Sequence, residues 1–149
     1  MPTTLGNGTI QFGNGSTQSV SQLSNYGYTY NSGISLARNS TYTITSNCTS
    51  GPEGIIFVFF KSPWTCTEDN GPTVQYMTFQ ISPDDVNWTT EIQQYQYANG
   101  YSGRYTGGNF SLSFPIGGLS SGQQYYFRAI ISPGNAATTF SPTMISYGV

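Results

Sequence analysis

Two-residue alternation in the last third of the chain is the feature that most limits what it can fold into. Phe110, Leu112 and Phe114 alternate with Ser111 and Ser113, and Tyr125, Phe127, Ala129 and Ile131 alternate with Tyr126, Arg128 and Ile130. A period of two puts one set of side chains on one face of an extended strand. Between the two runs lies Gly117-Gly118-Leu119-Ser120-Ser121-Gly122, which is turn chemistry. No segment of the chain holds a 3.6-residue period over three turns, so no helix is required. The expectation is an all-β protein in which a sheet built around Phe110–Tyr147 receives the earlier strands.

Those earlier strands are read from the same signals. Ile34, Leu36, Tyr42 and Ile44 alternate around a turn at Arg38-Asn39. Ser50–Gly54 reads as a loop. The apolar run Ile55–Phe60 reads as a central strand or one buried on both faces, ended by Lys61-Ser62-Pro63. Trp64–Pro72 reads as a polar loop. Thr73–Ser82 is a strand with Met77, Phe79 and Ile81 on one face. Pro83-Asp84-Asp85 turns it into a second strand, Val86–Tyr97, with a hydrophilic face of Thr and Gln. Asn99–Gly108 reads as a Gly/Tyr-rich loop. Residues 1–33 are polar and rich in Gly and Asn, and are read as an N-terminal arm or extra edge strands; residues 34–149 form the sandwich. Within the first part, Thr9–Phe12 reads as a short strand. Tyr26, Tyr28 and Tyr30 alternate either in an edge strand or in an arm that adds to a neighbour's sheet.

The run Leu119-x-x-Gly122-x-x-Tyr125-x-Phe127-Arg128 resembles the E–F corner of fibronectin type III domains, and Thr73–Tyr97 resembles that family's C–C′ hairpin. The likeness covers about the last half of the chain. It implies an immunoglobulin-like antiparallel β-sandwich with an N-terminal extension. It also implies a tyrosine corner, with the Tyr125 hydroxyl bonded to backbone near Ser121. Such a fold is a scaffold and names no chemistry.

Composition narrows the function. Only 7% of the 149 residues are charged, with a formal net charge of −2 and no histidine. No basic patch exists to hold phosphates, which argues against nucleic-acid partners. No apolar run approaches the ~20 residues of a membrane-spanning helix. Without His, the Ser-His-Asp and Cys-His nucleophile arrangements and histidine zinc sites are excluded. The six carboxylates form no convergent acid/base pair in sequence, because adjacent strand residues point to opposite faces. Glu68-Asp69-Asn70 reads as a solvated loop in preference to a weak calcium site. The expectation is a non-enzymatic chain with no cofactor and no metal.

Two cysteines, Cys48 and Cys66, flank the apolar strand. A disulfide between them is expected for an exterior protein, contributing on the order of 3 kcal/mol, with two buried thiols as the alternative. Six Asn-x-Ser/Thr sequons, at Asn7, Asn14, Asn39, Asn47, Asn87 and Asn109, point the same way, towards an extracellular glycoprotein. The opening Met1-Pro-Thr-Thr-Leu-Gly has neither a basic leader nor an apolar core. That fits a mature chain, or one that leaves its host inside a particle. The charge-poor, Thr/Tyr/Asn-rich composition is similar to that of surface and virion proteins of thermoacidophilic archaea.

The expected contact surface is aromatic: Tyr101, Arg104 and Tyr105 in the Gly/Tyr-rich loop, with Trp64 and Trp88. The function expected is a structural subunit of an extracellular assembly, a capsid, turret or tail protein of a virion. It would associate through its sandwich and its arm with copies of itself and with other assembly proteins. The alternatives are a glycan- or receptor-binding adhesion module, or a subunit of a surface filament other than a type IV pilus.

Overall fold

The computed structural model describes residues 26–68, 71–100 and 104–149, and three short strands ahead of them. Those three, β1 (Thr4–Gly6), β2 (Thr9–Gln11) and β3 (Thr17–Ser19), pair antiparallel in a sheet of their own. Asn7, Asn14, Asp69, Asn70 and Tyr101 lie outside the described residues.

The body is built from β4 (Tyr26–Tyr30), β5 (Ile34–Leu36), β6 (Tyr42–Thr49), β7 (Ile56–Glu68), β8 (Gly71–Ser82), β9 (Thr89–Gly100), β10 (Arg104–Ile116), β11 (Gln124–Pro133), β12 (Thr138–Phe140) and β13 (Thr143–Gly148). In the first sheet β7 is central. One of its edges pairs with β10 along all of β7. The other pairs with β13 over Ile56–Lys61 and then with β12 over Trp64–Cys66. Beyond these, β4 pairs with β13 and β5 with β12. The second sheet runs β6-β11-β8-β9. Every pair is antiparallel.

β4 and β5 lie along one line, as do β13 and β12, so each couple counts as one interrupted strand. Numbered in chain order on that basis, the first sheet reads 1-8-3-6 and the second 2-7-4-5. This is a jelly roll, two Greek keys folded into a pair of facing sheets. It corrects the immunoglobulin-like expectation. An immunoglobulin-like sandwich keeps its last two strands side by side in one sheet. Here β11 pairs with β6 and β8, while the chain's last strand crosses to the other sheet and pairs with β7 and β4.

The local features that suggested the family remain. Ser120 N–H donates to the Tyr125 hydroxyl at 3.0 Å, Leu119 packs against the core, and Gly122 takes a left-handed φ of 72°. The corner is stapled to the 50–54 loop by Leu119 N–H to the Gly54 carbonyl (3.0 Å) and Gly122 N–H to the Ser50 carbonyl (3.0 Å). A corner of this kind solves a problem common to sandwiches, passing a strand from one sheet to the other. It therefore marks the crossing and leaves the strand order open.

Two stretches read as loops are strand. β7 runs through Lys61-Ser62-Pro63 to Glu68. Pro63 is tolerated because it falls where the neighbour changes from β13 to β12, a break in the ladder at Ser141-Pro142. Its carbonyl still accepts from Ser141 N–H at 3.0 Å. Gly107 and Gly108 belong to β10, opposite Thr65 and Trp64. A Cβ on Gly108 would stand 2.6 Å from the Trp64 indole and 2.7 Å from Gln96 Oε1. The glycine makes room for a tryptophan, and breaks no strand.

Between the sheets, Ile44, Ile56, Val58, Phe60, Phe79, Leu112, Phe127 and Ile131 form the apolar core. Towards the far end of β7 and β8 the interior changes character. Ser62, Cys66, Thr73, Gln75 and Thr138 are buried there with Trp64.

Candidate functional site

Two surfaces combine shape with chemistry. The first is the outer face of the first sheet, where alternation turns every second residue of β4, β13 and β7 outward. The register sets them in rungs: Tyr26 beside Tyr147 beside Phe57, Tyr28 beside Ile145 beside Phe59, and Tyr30 beside Thr143 beside Lys61. Tyr26 and Tyr28 are 54% and 56% exposed, and Phe59 is 39% exposed. Tyr147 stacks between Phe57 (centroids 5.2 Å apart, 18° between planes) and Phe59 (6.1 Å, 12°). Lys61 is the single ionisable group among these nine apart from the tyrosine hydroxyls. Most soluble monomers scatter exposed apolar residues singly, and a contiguous array of this kind marks a contact surface. The apolar run Ile55–Phe60 is thus half core and half surface, and is not buried on both faces.

The second surface is a groove of about 320 Å³ along the seam where β4 of one sheet meets β6 of the other. It is lined by Tyr26, Tyr28, Trp88 and Tyr126, by Thr45 and Asn47 of β6, and by Asp85. The seam is tight. Thr29 Oγ1 donates to the Thr45 carbonyl at 2.8 Å, and a Cβ on Gly27 would collide with the Asn47 carbonyl oxygen.

The turn that carries Asp85 and Trp88 is held by one carboxylate. Asp84 Oδ1 accepts from Asn87 N–H (2.7 Å), Val86 N–H (3.0 Å) and Ser82 Oγ (2.8 Å), and Oδ2 accepts from Asn87 Nδ2 (2.6 Å). These donors, those of Asn87 foremost, hold the Asp84 carboxyl well below the usual carboxylate range. Asp85 follows in the left-handed region at φ 60°, which an aspartate tolerates better than most residues. Trp88 is fixed from the sheet side. The Arg128 guanidinium lies 4.0 Å from the centre of its ring, Arg128 Nε donates to Gln80 Oε1 (2.6 Å), and Gln80 Nε2 donates to Thr90 Oγ1 (2.9 Å).

Of the expected contact residues, the two tryptophans are set apart by the fold. Trp88 is in the groove, on the outer face of the second sheet. Trp64 is a correction: it is 3% exposed, and its Nε1–H donates to Gln96 Oε1 at 2.8 Å inside the sandwich. Arg104 and Tyr105 open β10, opposite Glu68 and Thr67. Tyr26, Tyr28, Phe57, Phe59 and Tyr147 were not singled out together, because only the register of three strands distant in sequence brings them to one face.

The disulfide is also corrected. Cys48 and Cys66 are both buried thiols at opposite ends of the sandwich. Cys48 lies by Gly148, which pairs with Ile56, while Cys66 is ten residues further along β7. At ~3.3 Å per residue that is a separation of about 33 Å, against the ~7 Å limit for a bridge. Burial pushes the Cys48 thiol up to about 11. Of the sequons, Asn39, Asn47 and Asn87 are exposed, whereas Asn109 is half-buried in β10 with its Oδ1 shut off from solvent. Among the described residues, no three His, Cys, Asp or Glu side chains gather in a metal-binding group.

No protein-family model matches the chain, and no curated protein matches it in sequence. Similar solved structures do exist. A structure of infectious bursal disease virus, Gx strain, matches with a TM-score of 0.51 at 12% identity, over 83% of this chain and 32% of that one. The VP2 subviral particle of the same virus matches at 0.47 and 13%, over 83% and 32%. Eiger TNF from S. frugiperda matches at 0.47 and 8%, over 83% and 92%. The chain spans about a third of the length of the viral chains it matches. At such identities, what the chain has in common with the Gx-strain virus structure is its two-sheet all-β fold.

Proposed function

We propose that the chain is a non-enzymatic structural subunit of an extracellular assembly, a virion protein of the capsid, turret or tail, that associates with copies of itself. The observation that carries this reading is the aromatic outer face of the first sheet. Three neighbouring strands present Tyr26, Tyr28, Phe57, Phe59, Ile145 and Tyr147 there with almost no charge. A second copy is the occupant this face fits best. A chain with 7% charged residues and net charge −2 offers little like-charge repulsion to keep copies apart. The fold in common with a virus structure supports a virion setting. The absence of histidine from the sequence supports a non-enzymatic role.

The test is sedimentation velocity and electron microscopy of the purified chain beside Phe59→Ser and Tyr147→Ser variants. The wild type is expected to form a discrete oligomer or particle, and the variants to sediment as smaller species with unchanged circular dichroism. A wild type that stays monomeric at high concentration overturns the reading.

A further inference from the structure

The groove at the β4–β6 seam shares Tyr26 and Tyr28 with the aromatic face but adds Trp88, Tyr126, Asn47 and Asp85, which that face does not use, and we infer that it is a saccharide site taking a neutral pyranose ring of a glycan carried by another molecule. Aromatic residues of three elements line it: Tyr26 and Tyr28 from β4, Trp88 from the turn before β9, and Tyr126 from β11. A pyranose offers flat patches of C–H to such rings and hydroxyls around its rim.

The polar groups beneath match that rim. Asn47 Oδ1 is already taken by Gln124 Nε2 at 3.0 Å, which turns the Asn47 amide into a donor for a ligand. Asp85 supplies an acceptor, and the Thr45 hydroxyl serves as either. Asp84, by contrast, is fully committed to its own turn, so of the two adjacent carboxylates only Asp85 is presented. Asp85 in the lining disfavours a phosphate or carboxylate ligand. The volume, about 320 Å³, is at the small end of ligand sites and suits one or two sugar rings.

The site is also preorganised. Asp84 fixes the turn, and the Thr90–Gln80–Arg128 chain fixes the indole, so little ordering is left to be done on binding.

The experiment applies the unglycosylated chain to an array of neutral, sialylated and sulfated glycans, then titrates the best neutral disaccharide by isothermal titration calorimetry. Saturable binding is expected, with neutral glycans preferred. Trp88→Ala and Tyr126→Ala should each weaken it at least tenfold, and Tyr95→Ala, outside the groove, should leave it unchanged. Where Trp88→Ala does not fold, Asn47→Asp, at an exposed strand position, takes its place with the same tenfold loss expected. A blank neutral array, or binding indifferent to Tyr126→Ala and Asn47→Asp, overturns the site. Phe59→Ser should leave sugar binding intact, so the outcome is separable from that of the self-association test.

Discussion

The two ends of the sandwich interior are built differently. Around Ile56, Val58, Phe60, Phe79 and Phe127 the inward side chains are mostly apolar, with only the small Ser46 and Ser146 among them, and rings meet in pairs: Phe79 stands edge-on to Phe114 at 5.4 Å and stacks on Phe127 at 6.3 Å. Around Trp64, Phe110 and Phe140 the larger polar side chains Thr73 and Gln75, with Ser62, take inward positions and are equally buried. There Gln96 bridges the two sheets, accepting from Trp64 Nε1 and donating from Nε2 to the Asn109 carbonyl at 2.6 Å. The first end is held by area removed from water, which is forgiving of direction. The second is held by hydrogen bonds that work only in one register, since a buried polar group left unmade costs more than a made one contributes.

Substitutions can break this contrast or sharpen it. The largest effect is expected from Phe79→Ala, which opens a cavity in the apolar end and should cost about 3–5 kcal/mol in urea unfolding. Gln96→Ala strands the Trp64 indole N–H and the Asn109 carbonyl together, at about 1–3 kcal/mol, with a change in Trp64 fluorescence that Phe79→Ala does not share. A loss as large as that of Phe79→Ala would show that the polar end carries the fold.

Gln75 sharpens the comparison from the other side. Among the described residues neither its Nε2 nor its Oε1 has a hydrogen-bond partner, so an internal water is the expected partner. Gln75→Leu should be neutral or slightly stabilising in thermal melts; a marked loss would mean that the amide is satisfied and needed.

The smallest effects are those of pH. Cys48 is held as a thiol in the fold, so the unfolded chain ionises first as pH rises. Stability is full below the ordinary thiol range, near 8.5, and falls as pH climbs from there to about 11. Cys48→Ala should flatten that slope. Asp84 has the opposite sign: its lowered carboxyl stabilises the fold above the ordinary carboxylate range, and the contribution is lost as pH falls below it. Asp84→Asn should flatten the acid side, read from melts between neutral and acid pH.

The apolar end was legible because alternation of large apolar residues has few other meanings. Phe110–Phe114 and Tyr125–Ile131 face inward as their spacing requires, and Met77, Phe79 and Ile81 do the same. The polar end was not. Gln96 sits in a run of Thr and Gln that reads as a solvated face, and Trp64, Gly107 and Gly108 read as loop. The Trp64–Gln96 bond and the space above Gly108 exist only when β7, β9 and β10 are brought together.

The chain's own pattern determined that it is all-β, where most strands lie and which large side chains are inward. These follow from neighbours two to six residues apart. Strand order, the separation of Cys48 from Cys66, the aromatic rungs and the seam groove were decided by the tertiary structure. Each depends on which distant strands pair, and pairing is chosen by the whole set of facing surfaces at once, a sum that no local period contains.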